Sequence, residues 1–209
     1  MKKQPMQSQA RLLHAVVFYF HREYNDGNYG GGYSIWGRRM DMSYAVVYSS
    51  RTGNTERLAE QVRYILGEEK CTYFGGVPEE VPEAEVIFAG FWTDKGICSE
   101  EMAEFLEKLE NRTVFLFGTA GFGGAKEYFA QIINRVSVFL SDSCTIQGYF
   151  MCQGSMPDSV RQRYEAMQKQ NPGDPKFKAM LDNFDKALGH PDDADLQALE
   201  GEIYRVWTA

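Results

Sequence analysis

The stretch Tyr44-Ala-Val-Val-Tyr-Ser-Ser-Arg-Thr-Gly-Asn-Thr-Glu-Arg-Leu-Ala-Glu-Gln-Val62 decides the fold. Tyr44 to Tyr48 form an apolar run with no polar alternation, the pattern of a strand buried on both faces in a parallel sheet. A hydroxyl-rich turn follows, Ser49-Ser-Arg-Thr-Gly-Asn-Thr55, and then a helix with apolar positions at Leu58, Val62, Ile65 and Leu66. The first N–H groups of a helix have no acceptor within it, and its dipole adds positive potential there, so this junction favours an anion. Ser50, Thr52 and Thr55 add hydroxyl donors, and Gly53 lets the backbone come close to a ligand. The turn reads as a cradle for a phosphate.

Outward from this stretch, strand and helix alternate regularly. Ala84 to Phe91 and Thr113 to Phe117 read as buried strands, ending in the glycine-rich segments Gly90-Phe-Trp-Thr-Asp-Lys-Gly96 and Gly118-Thr-Ala-Gly-Phe-Gly-Gly124. Cys71 to Phe74 is a short apolar patch, and Ser143 to Cys152 is the last strand. Between them lie a helix N-capped by Ser99, with Met102, Phe105, Leu106 and Leu109 inward, and one with Tyr128, Phe129, Ile132, Ile133 and Val136 at helical spacing. Such alternation predicts right-handed crossovers and an α/β fold with a doubly wound parallel sheet. After Gly154 the chain is helical. One helix opens at Pro157-Asp158, and a second runs from Lys176 to Leu188 with Phe177, Leu181, Phe184 and Leu188 on one face. A last one, capped by His190-Pro-Asp-Asp193, carries the stripe Leu196, Leu199, Ile203 and Val206. The last covers the sheet; the others form a helical insertion over about 155–190.

Residues 1–41 read differently. Their short apolar run, Leu12 to Phe20, lacks a signal-peptide cleavage site and is followed by a Tyr/Gly-rich tract. They are expected to lie outside the domain, either as a start-site artefact with initiation at Met40 or Met42 or as a disordered tail. They carry a net charge of +3, and residues 42–209 carry −10. The acidic domain argues against nucleic acid or an anionic membrane as partner, and no run approaches transmembrane length. The four cysteines, Cys71, Cys98, Cys144 and Cys152, have no metal-site spacing and fit reduced thiols in a cytoplasmic protein. Cys98 alone follows a turn near the candidate ligand edge.

The three loops after Ser49, Gly90 and Gly118 all lie at the carboxyl ends of parallel strands, which is the ligand edge of a doubly wound sheet. The first has neither the G-K-[ST] of a nucleotide P-loop nor the G-x-G-x-x-G of a dinucleotide site. A cysteine–arginine pair, as in a phosphatase, and an acidic strand end, as in a receiver domain, are both missing. The pattern Val46, Val47, Tyr48, Ser50, Gly53, Thr55, Ala59 and Val62 does resemble the flavodoxin signature at every constrained position.

That resemblance covers about residues 42–154 and implies an FMN-binding, five-stranded sheet in the order 2-1-3-4-5. It makes Ser50, Arg51, Thr52, Gly53, Asn54 and Thr55 the FMN phosphate site. It places Trp92, Thr93, Lys95 and Gly96 on one side of the flavin ring, and Thr119, Ala120, Gly121, Phe122 and Gly123 on the other. Trp92 and Phe122 are the candidate stacking aromatics, and the Lys95–Gly96 peptide is the candidate for turning toward the flavin N5 edge. Electron-carrier flavodoxins have an acidic side chain more often than Lys95 and a less glycine-rich third loop; Lys95 facing the ring makes the potential less negative. The Gly90 and Gly118 loops and Cys152-Gln-Gly-Ser-Met-Pro157 also resemble a bacterial flavodoxin-like subfamily. Some of its members accompany flavin reductases such as bilirubin reductase.

Two functions follow. One is an electron carrier docking through Glu79, Glu80, Glu83, Glu85, Glu100, Glu101, Glu104 and Glu107 to a basic redox partner protein. The alternative is an FMN-dependent NAD(P)H:quinone oxidoreductase on the same fold, although no catalytic base is legible and no catalytic or metal-ligating residue is assigned.

Overall fold

A computed structural model describes residues 42–208, so the expectations for residues 1–41 fall outside the described part. Five strands form one parallel sheet in the order β2-β1-β3-β4-β5. They are β1 (Tyr44–Tyr48), β2 (Cys71–Gly75), β3 (Val86–Trp92), β4 (Thr113–Ala120) and β5 (Thr145–Gln153). The doubly wound sheet expected from the β/α alternation is the one observed.

The apolar runs are unbroken because the sheet is covered twice, and side chains still alternate between its faces. Ala45, Val47, Ile87, Ala89, Val114 and Leu116 point to one face. There they meet Met102, Phe105 and Leu106 of α2 (Glu100–Glu107) and Ile132, Ile133 and Val136 of α3 (Lys126–Val136). Tyr44, Val46, Phe88, Phe115 and Phe117 point to the other, against Leu58 and Val62 of α1 (Asn54–Leu66). The last helix, α6 (Asp193–Thr208), completes that face with Leu199, Ile203, Val206 and Trp207. The Trp207 ring lies 5.2 Å from Phe88, nearly parallel to it at 22°.

The insertion is a pair of helices, α4 (Asp158–Gln170) and α5 (Pro175–Ala187), placed between β5 and α6. Asp174 caps α5 by accepting a hydrogen bond from the Lys176 N–H at 2.9 Å, with Pro175 in the first turn. Two expectations need correction here. Helix α5 ends at Ala187, so Leu188 leaves the helical face and is 52% exposed. Ser99 occupies the N-cap position of α2, but its hydroxyl donates to Ser49 Oγ at 3.1 Å and caps nothing.

Candidate functional site

The phosphate-type turn is built by its neighbours. The Ser49 N–H donates to Gly90 O at 2.9 Å, which extends the β1–β3 ladder by one bond and fixes where the turn begins. Ser49 itself is buried and donates to Glu101 Oε1 at 2.5 Å, so Glu101 supports the loop from beneath. Gly53 stands at the start of α1 with φ 83°, left-handed backbone that a residue with a Cβ enters only at a cost. Its carbonyl accepts the first helical bond, from Arg57 N–H at 2.9 Å. The Glu56 N–H finds Ser50 Oγ at 3.3 Å. The six N–H groups from Ser50 to Thr55 have no acceptor among the described residues. Six unpaired donors around one turn, at the positive end of a helix dipole, form a receptor for an anion with several oxygens.

The three loops meet. Thr55 Oγ1 lies 3.1 Å from Thr119 Oγ1, a buried contact joining the first loop to the third. Register pairs Trp92 with Thr119, and the Thr93 N–H then donates to Thr119 O at 2.9 Å. The Arg51 guanidinium lies 5.5 Å from the Trp92 ring centre, joining the first loop to the second. Ser50, Arg51, Thr52, Gly53, Asn54, Thr55, Trp92, Thr93 and Thr119 thus share one edge of the sheet. Thr93 Oγ1 is the one buried side-chain oxygen without a hydrogen-bond partner among the described residues.

Beyond Thr93 the second loop is a tight hairpin. Asp94 and Ile97 exchange both backbone hydrogen bonds, at 2.8 and 3.0 Å. The two central residues, Lys95 and Gly96, have φ 49° and 88°, the pattern of a type I′ turn. The Lys95 side chain is exposed. Gly96 O accepts from Arg135 at 3.4 Å, and a Cβ on Gly96 would come within 2.7 Å of that guanidinium. The carbonyl of Lys95 and the N–H of Gly96 make no hydrogen bond among the described residues, so no such bond ties this central peptide down.

Cys98 follows the hairpin, 2% exposed, and lines a hollow of about 360 Å³ with Ile97, Ala103 and Phe139. Burial pushes its thiol up to about 11, far from the thiolate a reactive cysteine needs.

In the third loop Ala120 O accepts from Gly154 N–H at 3.1 Å, tying the end of β4 to the end of β5. Phe122 is 48% exposed, its ring edge-on to Tyr128 at 6.4 Å. A residue that sequence reasoning missed organises this loop: Asn183, from α5, is buried against it. Its Nδ2 donates to Gly121 O at 2.8 Å and its Oδ1 accepts from Gly123 N–H at 3.2 Å.

The insertion also reaches the first loop. Asn54 Nδ2 donates to Ser155 O at 2.9 Å. The Ser155 hydroxyl in turn donates toward Ala187 O at 3.2 Å or His190 O at 3.0 Å, and accepts from Gly189 N–H at 2.9 Å. Arg57 of α1 bonds Pro191 O and pairs with Asp193 at 3.1 Å. Near it, Asp192 and Asp195 cap α6 reciprocally, at 2.9 and 3.0 Å, and His190 Nδ1 lies 2.6 Å from Asp195 Oδ2. Backbone N–H groups, with the nearby His190, hold the Asp192 carboxyl below its ordinary range. This group is a helix start, and His190 is committed to it.

Known proteins align with this arrangement. The family model for the flavodoxin domain matches residues 45–203. A flavodoxin-like domain-containing protein BilS from Clostridium symbiosum is 42% identical over 176 residues, covering 76% of this chain and 93% of that one. A BilS protein from Clostridioides difficile is 30% identical, covering 74% of this chain and 90% of that one. Among solved structures, a flavoprotein in complex with FMN from Lactobacillus acidophilus is 14% identical with a TM-score of 0.39, over 59% of this chain and 99% of that one. The strand order, not this last likeness, carries the fold. With its 2-1-3-4-5 sheet, its phosphate-type turn and a family match over most of its length, the chain belongs to the flavodoxin domain family.

Proposed function

We propose that the chain binds FMN, the cofactor of its family, and carries electrons to or from a partner oxidoreductase. The observation that carries this reading is the run of unpaired N–H groups from Ser50 to Thr55, at the carboxyl edge of the sheet and flanked by two further loops. A phosphate monoester brings nearly two negative charges at neutral pH and three acceptor oxygens, the complement of such a cradle. The residues present fit FMN in a second respect. Thr93 supplies a buried hydroxyl with nothing to bond among the described residues, and an orphaned polar atom in this position suits the polar edge of a flavin.

FMN, when bound, supplies one-electron chemistry at the isoalloxazine ring. The chain's own residues bind, orient and shield. Ser50, Arg51, Thr52, Gly53, Asn54 and Thr55 hold the phosphate end. Trp92, Thr93, Lys95 and Gly96 flank the ring on one side, with Arg51 backing the indole. Thr119, Ala120, Gly121, Phe122 and Gly123 flank it on the other, Phe122 being the exposed aromatic. The Lys95–Gly96 peptide, unbonded within its turn, is the group that would face the ring's N5 edge, and the Lys95 ammonium raises the potential.

The carrier reading is taken ahead of a stand-alone oxidoreductase because the resemblance is to the flavodoxin signature from Val46 to Val62, and no nicotinamide-phosphate clamp is legible beside it. His190, the one histidine of the described residues, is bound to Asp195 in the α6 cap. The test is to mix the FMN-loaded chain with NADPH or NADH anaerobically, with and without a flavodoxin reductase. Flavin bleaching only when the reductase is present is the expected result. Rapid direct oxidation of the nicotinamide with a quinone acceptor would make the chain an enzyme instead.

A further inference from the structure

We infer that Asn183 is a positioning residue for the flavin-ring side of the site, and that the α4–α5 insertion exists in this chain to deliver it. The proposal rests on the FMN reading above.

Loop 121–125 is packed by Met156 at Gly121 and by Tyr128 at Gly123, but among the described residues one side chain hydrogen-bonds its glycines. It contains Gly121, Gly123 and Gly124, the last two at φ 116° and 109°, so its intrinsic conformational freedom is large. One side chain meets that freedom. Asn183 bonds the loop twice with opposite polarity, donating to Gly121 O at 2.8 Å and accepting from Gly123 N–H at 3.2 Å. A primary amide is the smallest side-chain group that does both in one plane, so it brackets the Phe122 backbone from behind. Its Oδ1 also receives Gln153 Nε2, from the end of β5, at 3.4 Å. The amide therefore ties the third loop both to the sheet and to α5.

Helix α5 is itself firmly anchored. Phe184, beside Asn183, is 1% exposed, with Arg161 of α4 5.4 Å from its ring centre. Arg161 in turn pairs with Glu165 at 3.1 Å and with Asp185. The helix that carries Asn183 is thus braced by its partner helix. At its other end the segment closes through Ser155 and Gly189 onto Asn54, so the insertion reaches both the phosphate end and the ring end of the site. At the ring end the link from the insertion is this one amide.

The experiment uses the full chain as wild type, N183A and N183D, with FMN and riboflavin as ligands. Two hydrogen bonds of ordinary net strength are worth roughly a ten- to hundredfold change in affinity. N183A should weaken FMN and riboflavin by the same factor within that range, because the phosphate is not involved. It should also shift the visible absorption of the bound flavin and its reduction potential. In the flavin-free protein, amide exchange should rise in peptides spanning 118–125 and not in those spanning 50–55. N183D keeps the volume and the acceptor but sets a carboxylate oxygen against Gly121 O where the donor was, so it should lose at least as much as N183A and loosen the 118–125 peptides at least as far; it carries the test if N183A does not fold. Unchanged riboflavin affinity with unchanged exchange in the third loop would overturn the proposal. So would a loss confined to FMN, which would place the effect at the phosphate. Failure of the wild type to bind either flavin would instead remove the FMN reading, and the exchange measurement would still judge the clamp.

Discussion

Gly53 shows how one position joins fold to ligand. Its φ of 83° turns the chain from β1 into α1 while leaving the surrounding N–H groups aimed outward, and a Cβ there would meet nothing within 4 Å. The penalty for Gly53→Ala is therefore backbone strain rather than collision, about 1–2 kcal/mol. A urea midpoint lowered to match, with weaker FMN uptake, is the expected outcome; an unchanged midpoint would mean that the turn relaxes freely. Cys98 links burial to pH dependence. Its thiol ionises near 9 when unfolded and near 11 when folded, so the folded chain holds the proton longer. That contribution is whole below pH 9 and is lost as pH rises from about 9 to about 11. Urea midpoints between pH 8 and 11 should fall more steeply for the native chain than for Cys98→Ala. Native Cys98 should also resist iodoacetamide at pH 8, where rapid alkylation would restore it as a reactive site.

Helix α6 shares the covering of one face of the sheet with α1. Trp207 packs on Phe88 at 5.2 Å and on Phe115 at 6.0 Å, and is 7% exposed. Trp207→Ala should cost about 3–5 kcal/mol, as for other buried aromatics cut to alanine, readable as a drop in thermal midpoint. A loss under 1 kcal/mol would show that α6 only rests on the sheet. The strands and the phosphate-type turn were legible because their determinants are local: uninterrupted apolar runs, and a signature filled from Val46 to Val62 within one strand–turn–helix unit. The role of the insertion was not. Asn183 stands 62 positions from Gly121, and an asparagine on a helix reads as a solvated residue until the fold brings a loop against it. Arg51 over Trp92 was hidden for the same reason. Leu188 was misplaced because the helical period was carried one residue past the end of α5.

For the molecule as a whole, charge bears most directly on function. Residues 42–209 are net −10, but several acidic side chains expected at a docking face are engaged within the chain. Glu101 holds Ser49, Glu85 accepts from Ser43 N–H at 2.8 Å, and Glu83 pairs with Arg112 at 3.5 Å. Glu79, Glu80, Glu100, Glu104 and Glu107 are exposed, as are those three, and all eight add to long-range attraction to a basic partner. Screening shortens that attraction to about 8 Å at physiological salt. The rate of electron exchange with a reductase should therefore fall as ionic strength rises, and a salt-independent rate would remove charge steering from the account.

FMN binding is the claim on which the rest stands. Titrating the flavin-free chain with FMN and following flavin fluorescence tests it without any partner. The expected result is saturable quenching at one FMN per chain, with riboflavin bound at least about a hundredfold more weakly, since charge-assisted hydrogen bonds contribute about 1.5–3 kcal/mol each. A chain that stays colourless and leaves FMN fluorescence unchanged would contradict it.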